Sequence, residues 1–167
     1  MTLPDVASGV ALILVDAAGE NCIAVASGAN GRLAAAHVEA ALQELAPGPS
    51  DGVLVGHEIP TDTSVAALSA CRRAGATTIL NPAPAHGLDA ATVELADVVT
   101  PNEGESAVLA AAGSTVRGGT GAWLISLGAA GARLSTSDGD AAIPALAVQA
   151  VDTVGAGDTL NGALAAG

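Results

Sequence analysis

The 167-residue sequence has no lysine, phenylalanine or tyrosine, one tryptophan (Trp123) and two cysteines (Cys22 and Cys71). All five basic residues are arginine: Arg32, Arg72, Arg73, Arg117 and Arg133. Without lysine a Walker-type phosphate loop cannot be completed, because that loop sets an ammonium on the phosphates. The strand lysine of protein kinases is missing too, and Schiff-base chemistry has no amine to start from. The formal net charge is −12. With no basic stripe and no aromatic stacking platform, nucleic acid is excluded as an expected partner. If a polyanion such as ATP binds, backbone N–H groups and a divalent cation must offset the repulsion. The cysteines are far apart and form no C-x-x-C, which reads as a reduced, cytoplasmic chain with no thiolate metal site. There is no basic-then-apolar leader and no apolar run of about 18 residues, so no membrane association is expected.

What is present is apolar and small. Half the residues are hydrophobic and 40 are alanine, with a mean hydropathy of +0.52. That suffices for the core of one domain. Gly9–Val15 and Asn21–Ala26 flank the turn cluster Asp16–Glu20 and read as a β-hairpin. Leu33–Leu45 reads as a helix with Leu33, Val38, Leu42 and Leu45 facing inward, stopped by Pro47-Gly48-Pro49. Strands are expected at Val53–Val55, Thr77–Leu80, Asp97–Thr100 and Ala122–Leu127. Between them lie a helix capped by Thr61 or Asp62, a short helix over Asp89–Leu95 and a helix over Asn102–Ala112. The first of these has Val65, Leu68 and Cys71 inward and ends at Gly75. Gly131–Ser135 and Ala141–Ile143 form a second hairpin, and a last helix starts at Thr159. Alternating strands and helices imply βαβ units and a mostly parallel sheet. Ligands of such sheets sit beyond the carboxyl ends of the strands, where the polar and glycine-rich loops fall.

Among those loops, Asp152-Thr153-Val154-Gly155-Ala156-Gly157-Asp158-Thr159 carries the most chemistry. Gly155 and Gly157 let the backbone turn sharply into a helix, so several N–H groups converge at its positive end. Asp158 stands beside that anion hole, where a carboxylate can take a proton from an attacking hydroxyl. By spacing alone, an ordinary glycine turn with Asp158 as an N-terminal helix residue explains the segment equally well. His37, His57 and His86 have no ligand spacing and read as structural or solvent-facing.

This motif resembles the C-terminal motif of the ribokinase family, the PfkB-type carbohydrate kinases, and three further segments agree in order. Asn81-Pro82-Ala83-Pro84-Ala85 looks like the family's N-P-A-P loop. Thr100-Pro101-Asn102-Glu103-Gly104-Glu105 is similar to its T-P-N-E segment and N-x-x-E magnesium motif. Ser126-Leu127-Gly128-Ala129-Ala130-Gly131 is similar to its nucleotide loop. The resemblance runs from about residue 9 to the end. It implies a ribokinase-like mostly parallel α/β sheet flanked by helices, with residues 9–30 as a lid hairpin and 31–167 as the nucleotide- and phosphate-binding part. It further implies transfer of the γ-phosphoryl of ATP to a sugar primary hydroxyl, D-ribose above all. Asp158 is then the general base. The N–H groups of Ala156, Gly157 and Asp158, in the turn opened by Gly155, hold the transferred phosphoryl.

By the same resemblance Asn102 and Glu105 organise Mg²⁺, and Ser126, Gly128 and Gly131 shape the nucleotide site. Glu58 faces the sugar, and Asp152 with the carbonyl of Val154 binds K⁺. Each has a plainer explanation: a helix cap for Asn102 and Glu105, a strand-to-hairpin turn for the nucleotide loop, a solvated acid for Glu58, a turn brace for Asp152. A homodimer through the lid hairpin is also implied. The family's N-terminal strands and C-terminal helices have no counterpart in these residues. The stretch between Asn102 and Ser126 is short by about a helix, leaving Gly113–Gly121 as a loop. The alternative is therefore a truncated or degenerate relative without catalysis, at most a weak nucleotide binder. A dinucleotide-binding turn does not fit, because no βαβ unit follows Gly155-x-Gly157.

Overall fold

A computed structural model describes residues 3–15, 21–115, 121–150 and 152–167. Its strands fall into two sheets. The first is the hairpin of β1 (Val10–Val15) and β2 (Asn21–Ala26), paired antiparallel with Ile13 opposite Ile23. Its expected turn lies outside the described residues, as does most of the loop expected at Gly113–Gly121. A 3-10 turn at Gly28–Arg32 leads to α1 (Ala35–Leu45).

The main sheet has six strands in sequential order. They are β3 (Gly52–Gly56), β4 (Thr77–Asn81), β5 (Val98–Val99), β6 (Ala122–Ser126), β7 (Ala132–Thr136) and β8 (Gly139–Ile143). The pairings β3–β4, β4–β5 and β5–β6 are parallel, and β6–β7 and β7–β8 antiparallel. The connections carry α2 (Thr61–Ala74), α3 (Ala90–Val93) and α4 (Glu103–Ala111), and α5 (Ala156–Ala166) packs on β3. The expected α/β class and both hairpins are thus found. Among the described residues no helix is long and apolar enough to cross a membrane.

The core lies along the sheet and under α2 and α4: Val55, Leu68, Leu80, Val99, Leu109, Trp123 and Ile125. Ala67, Ala85 and Ala96 complete this core with small side chains. The α2 helix ends as its sequence predicts. Gly75 adopts φ 83°, its N–H reaches the Arg72 carbonyl, and the Ala76 N–H reaches that of Cys71. This paired closure needs a left-handed residue, which glycine supplies without strain.

Three local expectations are corrected. The cap position of α2 is Pro60 and neither Thr61 nor Asp62, because the Thr63 and Ser64 N–H groups both turn back to the Pro60 carbonyl. Thr63 is fully buried and its hydroxyl is spent on the Leu33 carbonyl at 2.6 Å, tying α2 to the start of α1. Leu45 is 76 % exposed and not an inward anchor. It is the last residue of α1, after which Ala46 turns left-handed, while Val38 packs against the core. The last helix starts three residues before Thr159, at Ala156, because Gly155 takes the left-handed cap at φ 76°.

Candidate active site

The early start of α5 sharpens the glycine-rich turn. Ala156, Gly157 and Asp158 form its first helical turn, where amides have no partner four residues back. The Ala156 N–H donates to the Thr153 carbonyl at 3.2 Å, so the donors without a partner among the described residues at this end are Gly157 and Asp158. The Asp158 carboxylate is exposed and folds back toward Gly155, one oxygen lying 3.9 Å from where a Cβ on that glycine would stand. Asp152 accepts the Val154 N–H at 2.8 Å. That bond is the turn brace foreseen as its plainer role.

Asn102 caps α4. Its Oδ1 accepts the Glu105 N–H at 2.8 Å, and one Glu105 oxygen accepts the Asn102 N–H at 2.8 Å. This reciprocal capping box fixes the Glu105 carboxylate at the helix start. Burial pushes the Glu105 carboxyl above the usual range, opposed by the Asn102 hydrogen bond. Asn102 also forms a parallel bridge with Ser126, whose N–H donates to the Pro101 carbonyl at 3.0 Å. The nucleotide-loop candidate Ser126 therefore sits beside the capping box. Gly128 and Gly131 follow with φ 56° and 95°. A Cβ on Gly131 would stand 2.1 Å from the Ile143 carbonyl oxygen, so only glycine fits there.

Glu58 and Glu105 share one cavity of about 650 Å³, also walled by Ile23 and Val25 of β2, His57, His86 and Pro84. It opens where β3 and β4 end, as the strand polarity requires. The hairpin forms one side. Among the described residues, Asp152–Asp158 are not part of this wall. Nor does any group of three or more histidine, cysteine or acidic residues converge as a metal cage.

His57 is buried, with Nδ1 3.1 Å from the Ser64 hydroxyl and a hydrogen bond to the His86 backbone. Burial outweighs that bond and lowers its pKa below the ordinary 6.5. The folded state then holds fewer protons on this ring than the unfolded chain. Its contribution to stability is whole above pH 6.5 and is lost as pH falls below it. Melting temperature is expected to drop between about pH 7.5 and pH 5.5, and His57→Gln to shrink that drop. An unchanged drop in the variant would remove His57 as its source. The His37 Nδ1 accepts the Ala34 N–H at 3.1 Å at the start of α1, a structural role, and His86 is exposed on the cavity wall.

Sequence reasoning misses Asn161, the one buried residue of α5, and the contact it makes with Thr100. The available signal is a lone amide in a helix otherwise made of alanine, glycine, leucine and short polar residues.

The model of the pfkB family carbohydrate kinases matches residues 3–167. The chain belongs to this family. A ribokinase of Bacillus subtilis is 36% identical over 162 residues, which cover 95% of this chain and 54% of that relative. The crystal structure of a ribokinase from Thermotoga maritima superposes with a TM-score of 0.76 at 31% identity, over 97% of this chain and 58% of that one. A ribokinase from Cryptococcus neoformans in complex with ADP gives 0.74 at 25% identity, over 96% and 58%. The chain thus spans about half the length of most curated relatives it matches. The fold of this pfkB member is that of the ribokinases it resembles.

Proposed function

We propose that this chain carries the phosphoryl-transfer part of an ATP-dependent sugar kinase, with D-ribose as the leading acceptor. The observation behind this reading is the free first turn of α5, with Asp158 in it, in a pfkB-family chain whose relatives include ribokinases. The Gly157 and Asp158 N–H groups, at the positive end of the helix, face the phosphates of the nucleotide and the charge that builds on the transferred phosphoryl. Asp158 takes the proton of the attacking sugar hydroxyl. Glu58, on the cavity wall, orients the sugar. Ser126, Gly128 and Gly131 carry the nucleotide, and that the Cryptococcus relative is in complex with ADP supports a nucleotide as ligand.

For Mg²⁺ the donors fit a hydrated ion touched by one carboxylate, since one Glu105 oxygen is already committed to the Asn102 N–H. Such an ion keeps most of its waters. When bound, it neutralises charge on the β- and γ-phosphates. Asp152 and the Val154 carbonyl would supply K⁺ with only part of a shell, because one Asp152 oxygen holds the Val154 N–H. We place the chain in the cytoplasm. The reading is tested by titrating the 167-residue chain with Mg–ADP in a calorimeter. Saturable one-to-one binding that Gly157→Pro abolishes is expected, and absence of binding would sink the proposal. The half-length match favours a second reading, a nucleotide binder without turnover.

The hairpin further supports a homodimer. Ile23 and Val25 face the cavity, so their cross-strand partners Ile13 and Ala11 share that face. The opposite face carries Val10, Leu12 and Leu14, which are 55%, 66% and 72% exposed. A contiguous apolar face of this kind suits a second copy of itself. Leu14→Lys is expected to weaken self-association at least about tenfold in sedimentation. A wild-type chain that stays monomeric at every concentration would end this proposal.

A further inference from the structure

The only buried residue of α5 is an amide, Asn161, 4% exposed. A buried amide is costly unless both its ends are satisfied, and here both are. Its Oδ1 accepts from the Thr100 hydroxyl, and its Nδ2 donates to the Gly157 carbonyl at 2.9 Å. Thr100 is itself buried at the end of β5. Its N–H donates to the Leu80 carbonyl of β4 at 3.0 Å, and its hydroxyl lies 3.3 Å from the same oxygen. The chain then runs through Pro101 directly into the Asn102–Glu105 capping box.

Two consequences follow from this arrangement. The Gly157 carbonyl shares a rigid peptide plane with the Asp158 N–H. Holding that carbonyl therefore fixes the direction in which one of the two free donors of α5 points. The same amide grips the residue that starts the Thr100–Glu105 segment. One side chain thus couples the first turn of α5 to the capping box across the ends of β4 and β5.

We infer that Thr100 and Asn161 are positioning residues that set the spacing and orientation of the two phosphate-facing elements, the α5 turn and the Asn102–Glu105 segment. The inference rests on the proposed phosphoryl-transfer role of those elements. Neither side chain touches substrate in this scheme. Both act through the Gly157 peptide and the segment after Thr100.

The experiment uses the full 167-residue chain, with backbone amide exchange read by NMR and Mg–ADP affinity by calorimetry. Thr100→Val removes the hydroxyl at nearly constant shape, Asn161→Leu removes the amide, and Thr100→Ser restores a hydroxyl. In Thr100→Val and Asn161→Leu, exchange at the Thr159 and Leu160 amides is expected to rise about tenfold or more, the effect of losing one buried hydrogen bond. The Mg–ADP dissociation constant is expected to rise by a similar factor, with no additivity in the double variant. Thr100→Ser is expected to behave as wild type in both readouts. Amides of Val99 and Ile125 report whether the sheet is intact. If Thr100→Val disturbs them, Asn161→Leu, which leaves the sheet residues in place, decides. Exchange within about twofold of wild type in Asn161→Leu, or Thr100→Ser behaving like Thr100→Val, would overturn the inference. So would raised exchange at unchanged Mg–ADP affinity, which marks a purely structural pair. A wild-type chain that does not bind Mg–ADP at all would remove the nucleotide reading instead, and the exchange arm would decide the pair alone.

Discussion

Asp158→Asn is expected to lower phosphoryl transfer by about 10²–10⁴ in any active protein that contains this segment, with little change in Mg–ATP affinity. Asparagine keeps the size and polarity of the side chain and still suits the first turn of a helix. What it loses is the ability to take the proton of the attacking hydroxyl. The nucleotide contacts assigned to Ser126, Gly128, Gly131 and the Gly157 amide are untouched, so a split between turnover and nucleotide affinity is the signature. The measurement is kcat by coupled ADP release beside a direct Mg–ATP titration. A variant with near-normal turnover would remove Asp158 as the base. Equal loss in both quantities would instead point to a collapsed α5 turn. The geometry argues against collapse, since the turn is held by the Gly155 cap, the Ala156–Thr153 bond and Asn161, none of which involves the Asp158 carboxylate.

Much of this site is legible in the sequence because its parts are punctuated by residues with one physical use. Gly75 ends α2 in the left-handed region, and Gly128, Gly131 and Gly155 turn the chain left-handed in two of the four motif segments. The alternation of apolar strands with helices of ordinary period points to the parallel half of the sheet, and the hairpin of Gly131–Ser135 and Ala141–Ile143 to its antiparallel end. The Asn102 and Glu105 pair reads both as a family motif and as a helix cap. The capping box shows the second directly, and it leaves one carboxylate oxygen for the first.

What stays hidden depends on how elements dock. Leu45 has the spacing of an anchor, yet α1 stops at it and the side chain faces solvent. Thr61 and Asp62 are good cap residues by type. Thr63, buried on the Leu33 carbonyl, instead sets where the first turn of α2 lies. Asn161 carries no periodic or motif signal, and only its contact with Thr100, 61 residues away, gives it meaning. The start of α5 eludes the sequence because Thr159 is a cap residue by type. Its hydroxyl in fact bonds the Gly155 carbonyl at 2.9 Å from within the helix.

The 167-residue chain alone, supplied with ATP, Mg²⁺, K⁺ and ribose, is expected to show no ribose-dependent release of ADP. Phosphoryl transfer draws little covalent chemistry from the protein and depends almost wholly on positioning and electrostatics. The positioning described here is one-sided. Glu58 and Asp158 are both exposed. The cavity that holds Glu58 is walled at its hairpin side by Ile23 and Val25, which offer no polar group to a sugar hydroxyl, and by Ser27, which offers one. Among the described residues β3, the strand that leads to Glu58, is an edge of the sheet with Leu54 38% exposed. A misplacement of about 1 Å already costs on the order of 10²-fold in rate, and a sugar held between two exposed carboxylates samples displacements of that size. Nucleotide binding is less demanding, because the α5 turn, the capping box and the Ser126 loop are each closed by their own hydrogen bonds. The expected pair of results is therefore saturable Mg–ADP binding without turnover. A coupled assay on the purified chain checks it. Ribose-dependent turnover at an ordinary enzyme rate, roughly 1 s⁻¹ or more, would show that these few groups position the sugar well enough on their own, and the second reading would fall with the prediction.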